Sequence, residues 1–358
     1  MSHPHYVVAL VPAHNEEESI AATIEALLAQ TRRPDRIVVI PNGCTDQTAA
    51  VARRYPVTVM ELPRLQHRKS EALNLAWARY ARDADVVVGM DADTVLPDNA
   101  VADWVAELAA DETLAGSSSK FTMIQPGLLP RLQKAEFSAW TDTALRRGNT
   151  HVLAGTGCAF SGKALREVAA RGDREGPWSY TSATEDFELT YRIRELGYRC
   201  QVSPTVRAYT DSMRTLRSLM AQRHKWSVGT VEDLLTFGVN RLTLRDWGQQ
   251  LMGVFGAFLK LLLLVVIFGQ WAYYGYLNIH WVWWLLPILF VAVEVKRVIR
   301  VPHRDWKDVL IAASFFPNEC FMWLRSAWFI RSWVSVLTTK ITGRRRDVWA
   351  AQYVAEGA

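Results

Sequence analysis

Residues 86–94 are Val-Val-Val-Gly-Met-Asp-Ala-Asp-Thr, and this stretch decides the fold of the first half of the chain. Its apolar run predicts a strand that is buried on both faces. Because side chains alternate along a strand, Asp91 and Asp93 are expected to point the same way at the carboxyl end of the sheet, where open α/β folds bind ligands. Two carboxylates this close repel each other unless a cation lies between them, which favours a hard divalent ion. The alternative is a solvated turn that caps the strand.

Strand and helix patterns alternate before this stretch. The predicted elements are strands at 6–11, 36–40 and 57–62 and helices at about 17–29, 46–54 and 69–82. Such alternation implies right-handed βαβ crossovers and a mostly parallel sheet, which is an α/β fold of the nucleotide-binding type. The chain has neither a Gly-x-Gly-x-x-Gly run nor a Walker lysine loop, so no motif supports a dinucleotide or P-loop site.

Polar turns follow the first two predicted strands. Residues 12–16 are Pro-Ala-His-Asn-Glu, and residues 41–46 are Pro-Asn-Gly-Cys-Thr-Asp. Turns of this composition either line a ligand crevice or cap the helices that follow them, and both explanations stay open.

The middle of the chain contains a predicted helix start and a glycine-rich strand. Ser182 to Glu185 has the pattern of a capping box, which places Asp186 in the first turn of a helix that stops at Gly197. The helix dipole favours an ionised carboxylate there, although acids also favour helix starts without any catalytic role. Residues 153–160 are predicted to form a strand interrupted by Gly155 and Gly157, where a ligand has room to approach the backbone.

The last third of the chain is predicted to be a membrane region. Residues 250–269 are apolar over about the length of a bilayer crossing. Lys260 costs roughly 2.5 to 3.5 kcal/mol on an insertion scale, whereas about a dozen apolar residues return about 4 to 8 kcal/mol. A second run ending at Val295 completes a predicted transmembrane hairpin at about 250–295. Its loop has no Lys or Arg and basic residues follow the second arm, so both flanks are expected to be cytoplasmic.

The remaining segments extend this picture. Residues 309–337 are apolar but interrupted by Pro317 and several charges, which predicts re-entrant or interfacial helices at about 309–340, followed by a basic cytoplasmic tail.

The first residues lack a signal peptide, so the first half is expected to stay in the cytoplasm. The four cysteines form no Cys-x-x-Cys pair, which argues against a zinc ribbon and a disulfide framework. The net charge of +5 comes with no nucleic-acid motif, so no nucleic-acid partner is expected.

Four motifs, in this order and at these intervals, resemble the donor-binding half of family 2 glycosyltransferases. They are residues 11–16, the Asn-Gly-Cys-Thr-Asp turn at 42–46, Lys-Ser-Glu-Ala-Leu-Asn at 69–74 and Asp-Ala-Asp at 91–93. Residues 184–199 resemble the catalytic-base segment of the same family. The resemblance implies a GT-A nucleotide-diphospho-sugar transferase fold, with a Rossmann-like mixed sheet, over residues 1–210. It also implies transfer of a sugar from a nucleotide diphosphate with inversion.

The resemblance also implies roles for individual residues. The donor-binding set in this half of the chain is Pro12, Glu16, Asn42, Lys69, Asp91 and Asp93. Asp93, with Asp91, is expected to hold Mg²⁺ or Mn²⁺. Asp186, with Glu185 beside it, is expected to supply the catalytic base, and the acceptor is expected at Gly155, Thr156 and Gly157. The family often has an acid where this chain has Asn42.

Residues 222–226, Gln-Arg-His-Lys-Trp, resemble the Gln-x-x-Arg-Trp signature of membrane-bound polysaccharide synthases. By that resemblance Gln222 and Lys225 contact the donor and Trp226 stacks at the acceptor. A lysine supplies charge without the bidentate fork of an arginine. The surrounding segment, 211–245, is predicted to be an amphipathic helix at the membrane interface, or else a soluble helix packed on the core.

Together these features predict a multi-pass cell-membrane enzyme of three parts, residues 1–210, 211–245 and 246–358, with a cytoplasmic catalytic domain. The expected activity is metal-dependent, inverting transfer from a UDP-sugar to a glycan or lipid-linked acceptor, with membrane lipids as further partners. The residue 222–226 signature favours polysaccharide synthesis, whereas the small membrane region favours a single transfer to a polyprenyl phosphate or glycolipid. A non-catalytic, membrane-anchored protein that binds sugar nucleotides is the third hypothesis.

Overall fold

The computed structural model describes residues 5–277, 280–301, 303–343 and 347–356. Within these ranges the chain forms two compact units. The first contains the residues up to 126 together with 136–212, and the second contains 127–135 and the residues from 213 onward. The predicted basic tail at 344–346 lies outside the described residues.

The first unit is built on a seven-stranded sheet. Its strands are β1 (Val7–Ala13), β2 (Arg36–Pro41), β3 (Thr58–Val59), β4 (Val86–Gly89), β5 (Leu114–Thr122), β6 (Cys158–Ser161) and β7 (Arg199–Tyr209). The strand order is β3-β2-β1-β4-β6-β5-β7. The first four strands are parallel, and β6 runs antiparallel to both β4 and β5. The sheet is therefore mixed, as the family resemblance implies.

Helices cover both faces of this sheet. They are α1 (Ile20–Leu28), α2 (Thr48–Ala52), α3 (Arg68–Ala76, continued by a π-helical turn at Trp77–Ala81), α4 (Ala100–Ala110), α6 (Gly162–Ala169) and α7 (Glu185–Glu195). Helix α5 (Leu128–Arg147) belongs to the first unit only from residue 136 onward. Because side chains alternate along β1, Ala9 packs in one core with Trp104 of α4, and Leu10 packs in the other with Leu73 of α3. Full burial of a side chain such as Leu10 stabilises the fold by about 1.5 to 3 kcal/mol.

Two predicted strand boundaries are wrong, and both concern the site. Strand β4 ends at Gly89, and the amide of Thr94 donates to the carbonyl of Asp91 over 3.3 Å. The two aspartates therefore lie in a turn after the strand, where strand alternation does not set their direction. Gly155 and Gly157 precede β6 instead of interrupting it. Gly157 has a φ of +155°, which favours glycine and explains why the strand begins only at Cys158.

The second unit consists of helices. They are α8 (Leu216–Phe237), α9 (Leu244–Tyr274), a 3₁₀ turn (Trp281–Trp284), α10 (Leu285–Val298), α11 (Trp306–Ala313), α12 (Phe315–Thr342) and α13 (Val348–Glu356). Among the described helices, α9 is the one that is long and apolar enough to cross a bilayer, by length and composition. It has 31 residues, and its most apolar window has a mean hydropathy of 2.6. Helix α10 has 14 residues, or roughly 21 Å, so the second arm of the predicted hairpin stays a prediction.

Helix α12 packs between α8 and α9 within the second unit. Leu219 of α8 is buried against Phe321 and Trp328 of α12. On its other side, the Lys260 ammonium of α9 donates to the Met322 carbonyl at 3.1 Å and the Ser326 hydroxyl at 2.7 Å. Lys260 therefore joins two helices of this unit.

A buried ion-pair network joins the start of α5 to α11. The Asp308 carboxylate is 5% exposed and accepts from Arg131 and Lys134, at 2.6 Å in each case. Arg131 also pairs with Asp305, which caps α11. The two cations satisfy Asp308, and this offsets the cost of burying its charge.

Candidate active site

Lys69, near the start of α3, lies between two parts of the first unit that are distant in sequence. Its Nζ is 2.6 Å from Asp91 Oδ1 and 3.1 Å from Glu185 Oε1. Burial opposes the charge on Lys69, but the carboxylates of Asp91 and Glu185 outweigh it and raise the lysine pKa well above its usual value. Lys69 therefore stays protonated and ties the Asp-x-Asp turn to the start of α7.

Gly155 lies directly against this ion pair. A Cβ atom at this position would be 2.9 Å from Lys69 Nζ and 3.2 Å from Asp91 Oδ2, so any larger residue requires the ends of these side chains to shift. The next hydroxyl, Thr156 Oγ1, is buried and has no hydrogen-bond partner among the described residues. The turn at 155–157 thus combines a close approach of Gly155 to the ion pair with a buried, unsatisfied hydroxyl at the next residue.

Asp186 lies in the first turn of α7, but the predicted capping box is wrong. The helix starts at Glu185, and the hydroxyl of its N-cap residue Thr184 makes no capping bond. Ser182 accepts instead from the Thr184 amide at 3.0 Å, which precedes the helix. The helix ends before Gly197, which has a φ of +91°. Glu185 is 5% exposed, whereas Asp186 is only half-buried, so Asp186 is the more accessible carboxylate of the two.

The surroundings of Asp186 adjust its acidity. Burial and then the charge of Glu185 raise the pKa of Asp186 to about 6, while Lys69 and the Phe187 amide act in the opposite direction. The Phe187 amide donates to Asp186 Oδ1 over 2.8 Å. A carboxylate with a pKa near neutrality is suited to general-base chemistry.

Asp93 is surrounded by negative charge. Burial raises its pKa to about 8, and the carboxylates of Asp91, Glu16 and Asp211 add to this effect. Its Oδ1 accepts from the hydroxyls of Thr94 at 3.2 Å and Thr210 at 3.4 Å. Sequence reasoning missed Asp211, which follows β7. The antiparallel pairing of Val95 with Tyr209 brings Asp211 close to Asp93, and no sequence pattern predicts that pairing.

The residues at this turn fit a divalent cation. Within the described part of the chain no three His, Cys, Asp or Glu side chains form a complete metal site. Magnesium is usually bound through one or two protein carboxylates, with substrate phosphates and water as the other ligands. Asp93 and Asp91 match that pattern. A positive ion beside them would relieve the repulsion that raises the Asp93 pKa.

The two polar turns identified in the sequence come together. Asn15 Oδ1 accepts from the Thr45 amide at 2.8 Å. Glu16 contributes its amide to Thr48 Oγ1 at 2.7 Å and accepts from Ser19. Asn42 is buried, and its Oδ1 accepts from the Leu65 amide at 3.2 Å. Pro12 is half-buried at the end of β1, next to Ile40.

Gln222, Lys225 and Trp226 lie on α8 in the second unit, which is described by itself. The Lys225 side chain is buried, and its Nζ lies 3.4 Å from the ring centroid of Trp349 in α13. Trp226 is covered by the Arg223 guanidinium at 4.5 Å. The donor and acceptor roles of these three residues stay predictions.

Comparison with known proteins shows the family. Residues 86–295, more than half of the chain, match the family model described as glycosyl transferase family group 2. The chain therefore belongs to this family, and its recognition as a family 2 glycosyltransferase is confirmed, whereas the significance of the residue 222–226 motif stays a prediction.

Curated relatives agree with this assignment. The chain is 26% identical over 246 residues to the probable glycosyltransferase YdaM of Bacillus subtilis, covering 64% of this chain and 56% of that protein. It is 23% identical over 318 residues to the poly-beta-1,6-N-acetyl-D-glucosamine synthase of Staphylococcus epidermidis, covering 86% and 70%. The chain thus spans just over half the length of the first relative.

A solved structure supports the fold. The mannosyltransferase PcManGT of Pyrobaculum calidifontis, in complex with GDP-Man and Mn²⁺, matches with a TM-score of 0.58. The match covers 94% of this chain and 88% of the other at 19% identity. The GT-A glycosyltransferase fold is confirmed.

Proposed function

We propose that this protein transfers a sugar from a nucleotide diphosphate sugar to an acceptor hydroxyl with inversion, using Asp186 as the general base. The observation that carries the proposal is the half-buried Asp186 carboxylate, next to the Lys69–Glu185 ion pair, with its pKa raised to about 6. Membership of a glycosyltransferase family supports the reaction class.

The reaction needs one base and no enzyme nucleophile. The acceptor oxygen attacks the anomeric carbon while the bond from that carbon to the diphosphate oxygen breaks on the opposite side. Asp186 takes the proton of the attacking hydroxyl, and the nucleoside diphosphate leaves with the bonding electrons. Attack opposite the leaving group inverts the anomeric configuration.

The donor diphosphate would bind at the turn of Asp91 and Asp93, bordered by Pro12, Glu16 and Asn42. Mg²⁺ or Mn²⁺, held by Asp93 and Asp91, would supply positive charge beside the diphosphate. Lys69 pairs with Asp91 and Glu185 and offsets part of their negative charge, which reduces their repulsion of an anionic donor. A UDP-sugar is the donor we propose, and GDP-Man, carried by the structural relative, is the first alternative to test.

The acceptor would bind at the turn of Gly155, Thr156 and Gly157. The unsatisfied Thr156 hydroxyl supports this assignment, because a buried polar group without a partner is costly unless a ligand or water satisfies it. Gly155 packs directly against the Lys69–Asp91 pair, which supports a position of this turn beside the donor turn.

The enzyme would act at the cytoplasmic face of the cell membrane. Support comes from α9, whose apolar side chains are mostly exposed, including Leu251, Phe258 and Phe268. Such a surface is unfavourable in water and fits a lipid environment. A second crossing, which would make the protein multi-pass, and contact with membrane lipids are parts of the same proposal.

The relatives named as polysaccharide synthases favour polysaccharide or exopolysaccharide synthesis over a single transfer. Single transfer to a polyprenyl phosphate or glycolipid is the second candidate, supported by the small size of the helical unit. A product-size ladder separates the two, because only a polymerase makes a series of lengthening products.

A donor screen tests the proposal. Membranes that contain the protein are incubated with individual nucleotide sugars and Mg²⁺ or Mn²⁺, and nucleotide diphosphate release and labelled product are measured. Release with one donor, lost in the Asp186→Asn variant, is the expected result. Binding of a donor without release under any acceptor condition would favour the non-catalytic hypothesis.

A further inference from the structure

Asn74, the last residue of the Lys-Ser-Glu-Ala-Leu-Asn motif, takes no part in the site described above. It lies on α3, one and a half turns after Lys69, and its side chain is buried. We infer that Asn74 is a positioning residue that fixes loop 170–184, and through it Asp186, on helix α3. This inference rests on the proposed role of Asp186 as the base.

The Asn74 amide makes a two-way hydrogen bond with the backbone of Trp178. Its Nδ2 donates to the Trp178 carbonyl at 2.8 Å, and its Oδ1 accepts from the Trp178 amide at 3.0 Å. The Asn74 side chain therefore hydrogen-bonds both the amide and the carbonyl of Trp178. Alanine at position 74 would leave both of these backbone groups without this partner.

The loop backbone lies directly on Asn74. A Cβ atom at Gly176 would be 2.5 Å from Asn74 Oδ1 and 2.6 Å from its Cγ, so the loop reaches this position only with glycine there. Trp178 is 4% exposed and packs edge-on against Phe160 of β6, with ring centroids 6.2 Å apart. The contact is tight, buried and specific in direction.

Two other contacts show what Asn74 adds. Arg174 in the loop forms a bidentate pair with Glu188 of α7, at 3.0 Å for both nitrogens, so the loop and α7 hold each other. Helix α3 makes two polar contacts with this assembly, through Asn74 to Trp178 and through Lys69 to Glu185, and its N-cap residue His67 stacks on Tyr180 of the loop with ring centroids 4.6 Å apart. Without Asn74, the loop and α7 stay joined to each other, but the loop loses its buried hydrogen bonds to α3 and keeps only apolar packing and the stacking of Tyr180 on His67, while α7 keeps the Lys69 ion pair. Since Lys69 also holds Asp91, α3 sets the distance between the base and the donor turn.

The test compares Asn74→Ala, Gly176→Ala and the double variant in the full-length protein. Asn74→Ala is expected to lower kcat by about ten- to a hundredfold, because misplacement of a catalytic group by about 1 Å costs that order of rate. The KM for the donor is expected to stay within about twofold, since Lys69 still holds Asp91. Hydrogen exchange of peptides covering 174–184 is expected to accelerate.

Asn99→Ala, which removes an amide that contacts Asp103 at the start of α4, is the matched control and should leave kcat unchanged.

The double variant tests whether the effects of the two substitutions on kcat are coupled, as this geometry predicts. Gly176→Ala should reduce kcat in the wild-type background, where the new methyl group meets Asn74. In the Asn74→Ala background the obstacle is gone, so the same change should cost much less. Gly176→Ala also keeps the test valid if Asn74→Ala fails to fold.

The inference is overturned if exchange in 174–184 is unchanged in Asn74→Ala, if kcat stays within twofold, or if the two substitutions are simply additive. Failure of the proposed function looks different. In that case the wild-type protein and Asn99→Ala show no transfer with any donor, and this removes the base role on which the positioning of Asp186 depends.

Discussion

The Lys69 ammonium lies 3.1 Å from the Glu185 carboxylate and joins a helix of the donor half to the helix that carries the proposed base. The same ammonium lies 2.6 Å from Asp91. One cation thus pairs with one carboxylate on each side of the site, whereas Asp186 and Asp93 have raised pKa values. This division explains why adjacent acids can have different roles: Glu185 is buried and paired, whereas Asp186 is accessible.

The pH dependence of transfer should report Asp186. Its pKa is raised to about 6, so it loses the basic form as the pH falls through 6, and kcat should fall with it. Glu185→Gln removes the neighbouring negative charge that raises this pKa, so the acid limb should move to lower pH. The measurement is a pH–rate profile of both proteins at saturating donor. An acid limb that moves to higher pH in Glu185→Gln would contradict the assignment.

Asp93→Ala should weaken metal-dependent donor binding. The substitution removes a carboxylate that we propose holds the cation, while Lys69 and Asp91 stay paired. Titration of the protein with Mn²⁺, alone and with a nucleoside diphosphate, measures this directly by electron paramagnetic resonance. We expect at least a tenfold loss of Mn²⁺ affinity in the presence of the diphosphate. Equal affinity in the variant and the wild type would exclude Asp93 as a ligand.

Gly155→Ala should impair activity through the Lys69–Asp91 pair. The new methyl carbon would lie 2.9 Å from Lys69 Nζ, so the ammonium must shift relative to the turn, and overpacking against a flexible side chain costs about 1 kcal/mol, the low end of the usual range. Gly172→Ala is the control, because a Cβ there meets no atom within 4 Å. Thermal unfolding and transfer rates of both variants give the comparison. The account is wrong at this position if the two variants behave alike.

Asp308→Ala should destabilise the helical unit. The substitution leaves Arg131 and Lys134 without their buried partner, which typically costs about 3 to 5 kcal/mol. Glu61→Ala, which breaks an exposed pair with Arg53, should cost less than about 1 kcal/mol. Denaturant unfolding in detergent measures both. Similar losses in the two variants would show that the Asp308 network contributes little.

Local patterns predicted much of the first half of the fold. The apolar runs placed β1, β2 and β4, because strands buried on both faces are continuously apolar. Strand β5 escaped prediction because it contains Ser117, Ser118 and Ser119, all buried. Glu107 of α4 accepts hydrogen bonds from Ser117 and from Ser203 of β7, and a partner supplied by another element cannot be read from a single strand.

In the candidate site, too, local motifs were readable from the sequence, whereas contacts between distant elements were not. Motifs identified Asp91, Asp93 and Asp186, since each follows a strand or starts a helix. The Lys69–Glu185 pair, the approach of Gly155 and the nearby charge of Asp211 depend on how α3, α7 and β7 pack. Strand alternation gave the wrong reason for the proximity of the aspartates, because the chain turns after Gly89.

The most direct test of the central claim is to measure donor binding and sugar transfer separately in Asp186→Asn. Asparagine keeps the size of the side chain but cannot accept the proton, so transfer should fall by about 10²- to 10⁴-fold. The Kd for a nucleoside diphosphate with Mn²⁺ should change by less than about threefold, because Lys69, Asp91 and Asp93 are intact. Transfer at the wild-type rate by Asp186→Asn would contradict the base assignment and the function built on it.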